Sequence, residues 1–131
     1  MNAGGVLPAL EKHITQEGIR RYAEASLDFN PLHLDPAFAQ RSQFGGVVAH
    51  GMILLGYFSE VMTRAFGAAW AANGRLKVQF RAPARPGDRV TVTGRVSTVT
   101  DAAEGRRIAC ALEARNQRGD VLATGEAQVT P

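Results

Sequence analysis

Asp28, Asn30 and His33 fall close together on a segment that turns, and they are the side chains best suited to moving a proton. Asp and His five residues apart would diverge on a straight segment. A bend at Asn30-Pro31 brings them back toward one point, because proline fixes its own φ and pushes the preceding residue out of the helical region. An Asp/His pair can take a proton from water and return it near neutral pH once its surroundings tune it. Asn30 adds a side chain that holds water as donor and acceptor together. Each residue also has a plainer reading, since an Asp in a turn is often a local cap and a single His a structural hydrogen-bonding group.

A second element is Ala49-His50-Gly51-Met52, where a glycine opens an apolar helix. Free N–H groups at a helix start, with the helix dipole behind them, suit a developing oxyanion. Gly51 lets a carbonyl approach the backbone closely, or simply makes room for a tight join. His50 offers a second acid–base group, though ordering the loop is the better reading. Ser59 follows eight residues later, about 12 Å along the axis, and on a buried surface it needs a partner. An acid–base pair, a helix-start oxyanion site and an apolar helix to line an acyl tunnel together suit an enoyl thioester. Water is a poor nucleophile until a base activates it, and the enolate that forms needs donors at its oxygen.

Three stretches must position these groups. Thr15 as N-cap and Glu17 in the first turn start a helix over about Gln16–Ala25. Asp35-Pro36 starts a short helix through Arg41, and Gly45-Gly46 is a loop. From Gly51 to Phe66 the residues are apolar nearly all round, which predicts burial on most sides; only the second half turns amphipathic, with Glu60 and Arg64 at i,i+4. From about Arg75 the period changes to two. Leu76, Val78 and Phe80 alternate with polar residues, as do Val90, Val92 and Val96, then Ile108, Cys110 and Leu112, and Val121–Val129 reads as a last strand. Pro86-Gly87-Asp88, Glu104-Gly105 and Arg118-Gly119-Asp120 are turn chemistry. Antiparallel strands with one apolar face need a cover, and the long apolar helix supplies it. The expected architecture is α+β, a single domain over residues 1–131 with a curled antiparallel sheet wrapped around one long buried helix. Open sheet edges predict a homodimer joined edge to edge.

Composition narrows the function classes. The chain has 131 residues, 45% hydrophobic and 21% charged, enough for one continuous core. Its single cysteine, Cys110, excludes an internal disulfide and a multi-cysteine metal site, and its place in an alternating run predicts a buried apolar role. The net charge of +3 comes from cations scattered among twelve acidic residues, without a basic run or interleaved aromatics, so nucleic acid is not expected as a partner. The most apolar stretch, Gly45 to Phe58, contains His50 and is too short to span a bilayer. No signal-like start is present, which makes the cytoplasm the expected compartment.

Asp-Phe-Asn-Pro-Leu-His-Leu-Asp-Pro (28–36), followed by Val-Ala-His-Gly-Met (48–52), resembles the hydratase-2 motif and helix start of MaoC-like (R)-specific enoyl-CoA hydratases. Phe80-Arg-Ala-Pro-Ala-Arg-Pro-Gly-Asp88 resembles the strand and turn that follow in that family. The resemblance covers nearly the whole chain in order. It implies a hot dog fold, usually dimeric, and reversible syn hydration of trans-2-enoyl-CoA to (R)-3-hydroxyacyl-CoA. Coenzyme A or acyl carrier protein would be the thiol. It also implies Asp28 and His33 as the acid–base pair around one water, with Asn30 helping to hold that water. The Gly51 N–H would meet the thioester oxygen, and Ser59 would lie in the substrate pocket. Neither a metal nor a redox cofactor is implied.

One departure stands out. The family usually has glycine just before the aspartate, where this chain has Leu27. If that position needs a positive φ, leucine there is strained or moves the loop. Two other readings remain open at this level. A hot dog thioesterase would aim water at the carbonyl, and a non-catalytic subunit would shape a partner's tunnel with its own site disabled at Leu27.

Overall fold

A computed structural model describes residues 1–131. Strand β1 (Val6–His13) leads into helix α1 (Gln16–Ser26), two short helices α2 (Pro31–Leu34) and α3 (Pro36–Gln40), the long helix α4 (Gly51–Phe66) and the short α5 (Ala68–Asn73). Strands β2 (Arg75–Phe80), β3 (Arg89–Ala102), β4 (Gly105–Arg115) and β5 (Val121–Val129) complete the chain. All strands pair antiparallel in one sheet of order β1-β3-β4-β5-β2. The sheet wraps α4, as the alternating strands and the apolar helix predict, and this is the hot dog arrangement.

Helix α4 turns Leu54, Phe58, Val61 and Met62 toward the sheet, all of them buried. They meet Val90, Val92 and Val96 of β3, Ile108, Cys110 and Leu112 of β4, and Leu122 and Ala127 of β5 in one core cluster. Close approach depends on two glycines. A Cβ at Gly125 would lie 3.2 Å from the Phe58 ring, and one at Gly94 only 2.7 Å from Leu112. Cys110 is buried in this core, and burial raises its thiol pKa, as suits a packed apolar residue. The three expected turns each hold a glycine with positive φ, at Gly87, Gly105 and Gly119. No helix is long and apolar enough to cross a membrane.

The structure differs from the sequence reading in four places. Residues 6–13, which carry no clean period, form edge strand β1. A short helix α5 follows α4, capped by no side chain. Asn30-Pro31 is a helix start rather than an open turn: the Asn30 side chain accepts from the Leu32 N–H and Pro31 takes the first helical position. Finally, α4 is not buried on most sides. The sheet covers one face, while Met52 is 53% exposed and Ile53, Leu55 and Tyr57 are half-buried. Its amphipathic half is as expected, with Arg64 and Glu60 paired at 2.9 Å and Lys12 of β1 bonded to Glu60 at 2.8 Å.

Candidate active site

Helix α1 begins as expected, with the Thr15 side chain accepting from the Gly18 N–H at 2.9 Å. It ends at Leu27, whose φ of 61° and ψ of 26° make it the one non-glycine residue with positive φ. Leucine in this left-handed conformation costs about 1–2 kcal/mol, and its side chain, 77% exposed, recovers nothing by burial. The backbone therefore keeps the corner that a glycine would favour, and Asp28 follows immediately.

The corner carries a small set of hydrogen bonds. Ser26 Oγ donates to the Tyr22 carbonyl at 2.8 Å and accepts from the Asp28 N–H at 3.3 Å. The Asn30 N–H donates to Asp28 Oδ1 at 3.3 Å, so Asp28 and Asn30 stand on the same turn. Asn30 Oδ1 is spent on the cap of α2 at 2.9 Å, which leaves its amide nitrogen for a ligand. Helix α2 then presents His33, and Gln16 of α1 holds the His33 carbonyl at 3.0 Å.

Backbone carbonyls fix both imidazoles. His33 Nδ1–H donates to the Val48 carbonyl at 2.7 Å, leaving Nε2 free. His50 Nε2–H donates to the Asp28 carbonyl at 3.0 Å. A carbonyl can only accept, so each ring's tautomer follows from its partner. The two rings stack with centroids 3.8 Å apart, and Tyr22 packs against His50 at 4.8 Å. His50 is 3% exposed, and its Nδ1 is buried without a hydrogen-bond partner. The expected role of His50 in ordering the loop is therefore visible as its bond to the Asp28 carbonyl.

Asp28, His33 and His50 each place one carboxylate oxygen or ring nitrogen within 4.8 Å of the other two. Two hydrogen bonds of about 2.8 Å to one water span roughly 4.6 Å, a separation within the 4.8 Å limit of this cluster. The same three groups match a metal-ligand set by type. One nitrogen of each ring is committed to a backbone carbonyl, which leaves each a single nitrogen to offer.

His33 borders an apolar cavity of about 350 Å³ that Gly51, Leu54, Phe44 and Phe80 also line. Gly51 is the first residue of α4, where no side chain caps the helix; the Ile53 N–H donates to the His50 carbonyl at 3.1 Å, and the Gly51 N–H remains available to a bound oxygen. The edge of the Phe80 ring occupies the space beside it: a Cβ at position 51 would lie 3.1 Å from that ring. Phe80, expected on the apolar face, is 54% exposed at the end of β2. Sequence reasoning did not connect Phe80 or Tyr22 to the site. Strand alternation placed Phe80 on an apolar face, and no local pattern reports a contact across elements.

Ser59 is not brought to this cavity. Its Oγ accepts from Trp70 Nε1 at 2.9 Å, and its carbonyl accepts from Thr63 Oγ1 at 2.8 Å. The partner it needed is thus supplied by α5, an element invisible in the sequence.

Residues 3–116 match the family described as the MaoC like domain. A 3-hydroxybutyryl-CoA dehydratase of Methylorubrum extorquens is 33% identical over 95% of this chain and 78% of its own length. An (R)-specific enoyl-CoA hydratase of Aeromonas caviae is 34% identical over 92% of this chain and 88% of its own. A solved (R)-hydratase from A. caviae involved in PHA biosynthesis superposes with a TM-score of 0.85 at 28% identity, covering 99% of this chain and 96% of that one. The family match and the superposition both extend along most of the length, and the chain belongs to the MaoC-like domain family.

Proposed function

We infer that this protein is a hydro-lyase that reversibly hydrates a trans-2-enoyl thioester to the (R)-3-hydroxyacyl thioester, with residues 1–131 acting as one catalytic domain. The observation that supports this reading is the cluster of Asp28 and His33, with polar side-chain atoms within 4.8 Å, together with the apolar cavity that His33 and Gly51 line. Relatives named as a 3-hydroxybutyryl-CoA dehydratase and an (R)-specific enoyl-CoA hydratase support it. In the hydration direction, water held between Asp28 and His33 loses a proton to the pair as its oxygen bonds to the β-carbon. Negative charge moves to the thioester oxygen, where the Gly51 N–H and the start of α4 stabilise it. The pair then returns a proton to the α-carbon on the same face, which gives syn addition. Asn30 steadies the water through its free amide, and Nε2 is the His33 nitrogen left to exchange a proton with it, since Nδ1–H is spent on Val48.

The substrate is an acyl thioester of coenzyme A or of acyl carrier protein, used in fatty acid metabolism in the cytoplasm. The purified protein is expected to remove the enoyl absorbance of crotonyl-CoA and give the (R)-3-hydroxy product. Faster release of free thiol than of hydrated product would replace this reading with a thioesterase. Inactivity across a chain-length series on both thiols would leave the non-catalytic subunit.

The working form is a homodimer. Met52 and Phe80 are exposed apolar side chains at the start of α4 and the end of edge strand β2. Static light scattering at micromolar concentration is expected to give twice the chain mass of 14.0 kDa; a stable monomer would overturn the dimer.

A further inference from the structure

The stretch Val48–His50 touches both halves of the acid–base pair. The Val48 carbonyl accepts from His33 Nδ1–H, and two residues later His50 Nε2–H donates to the Asp28 carbonyl. We propose that His50 is a positioning residue whose bond to Asp28 holds the left-handed corner at Leu27, and so keeps the Asp28 carboxylate facing His33. This rests on reading Asp28 and His33 as the catalytic pair.

Three observations carry it. First, Leu27 is in a conformation that leucine avoids, and the Leu27 and Asp28 side chains are exposed, so burial does not hold the corner. Second, the other bonds to Asp28, from its own N–H to Ser26 Oγ and from the Asn30 N–H to Oδ1, are both 3.3 Å long. The His50 bond is 3.0 Å. Third, His50 has one productive orientation. Its ring is packed between Tyr22 and His33, and its Nδ1 meets no partner. Turning the ring over would break the bond to Asp28 and bury an unpaired donor. With glycine at position 27 the corner would be accessible without help; with leucine it depends on the tether.

The test is a double-mutant cycle of His50→Ala and Leu27→Gly. His50→Ala is expected to lower kcat roughly ten- to hundredfold while KM stays within about threefold. His50→Gln, whose amide nitrogen reaches where Nε2 sits, restores most of that loss. Leu27→Gly alone changes kcat by less than about twofold, but on the His50→Ala background it recovers about fivefold or more. Equal effects of Leu27→Gly on both backgrounds, or a loss confined to KM, would overturn the proposal. Urea unfolding of the same four proteins reads the tether without activity. Leu27→Gly should raise the midpoint of the parent and do less on His50→Ala, whose corner has already relaxed; additive shifts would refute the coupling. If no variant turns over any thioester, the reaction assignment fails while the unfolding cycle still decides the tether. Should His50→Ala not fold, His50→Asn, which moves the donor to the Nδ1 side, takes its place in both measurements.

Discussion

Asparagine in place of Asp28 is expected to lower kcat by about 10²–10⁴-fold, the range for removing a positioned acid–base group, with little change in stability. The side chain is exposed and its one internal bond, from the Asn30 N–H to Oδ1, can also be accepted by an amide oxygen. His33 allows a sharper separation of chemistry from structure. His33→Ala removes the free Nε2 and also the bond to the Val48 carbonyl, so a loss of roughly 1 kcal/mol in stability accompanies the kinetic loss. His33→Asn keeps a donor where Nδ1–H was and removes only the site-facing nitrogen. It should be as inactive as His33→Ala and nearly as stable as the parent. Initial rates of enoyl absorbance loss and urea unfolding of all three variants are the measurements. Turnover within about tenfold of the parent in Asp28→Asn or His33→Asn would remove that residue from the mechanism.

The largest loss of stability is expected from Phe58→Ala. Phe58 is fully buried on the sheet-facing side of α4 and rests on Gly125 of the sheet. Its removal takes away apolar contact and leaves a cavity that the sheet cannot close, because a glycine has no side chain to move in. A cost of about 3–5 kcal/mol is expected, with a fall in Tm on the order of 10–20 °C for a chain of this size. Urea unfolding should show a lower midpoint with unchanged slope. A cost below about 1.5 kcal/mol would mean that α4 can shift to refill the space.

The limits of α4 and the last strand were legible in the sequence because their signals are local: an apolar run opened by glycine, and alternation bounded by Pro, Gly and Asp. Strand β1 was not. Its buried residues Leu7 and Leu10 are three apart, because a bulge shifts the register between them, and Pro8 argues against a strand. Helix α5 carries neither a cap nor a period long enough to announce itself. For the site, Asp28, Asn30, His33 and Gly51 could be picked out by type and spacing, and the strain at Leu27 followed from one missing glycine. What could not be read were contacts that cross elements: His50 to Asp28, Phe80 over Gly51 and Trp70 to Ser59. Those depend on where separate elements meet, which periodicity does not encode.

The bulge in β1 bears on how far assembly can go. The two outer strands of the sheet are β1 and β2. Strand β1 carries an irregular register and a proline that offers no N–H, both of which blunt it as a template. Strand β2 pairs with β5 without a register shift and presents a regular outer row of backbone groups. A sheet with one usable border can add one copy of itself, two-fold related and self-complementary, and growth then stops. A second regular border would instead permit head-to-tail addition without end, so the bulge and proline of β1 favour a closed pair over a filament.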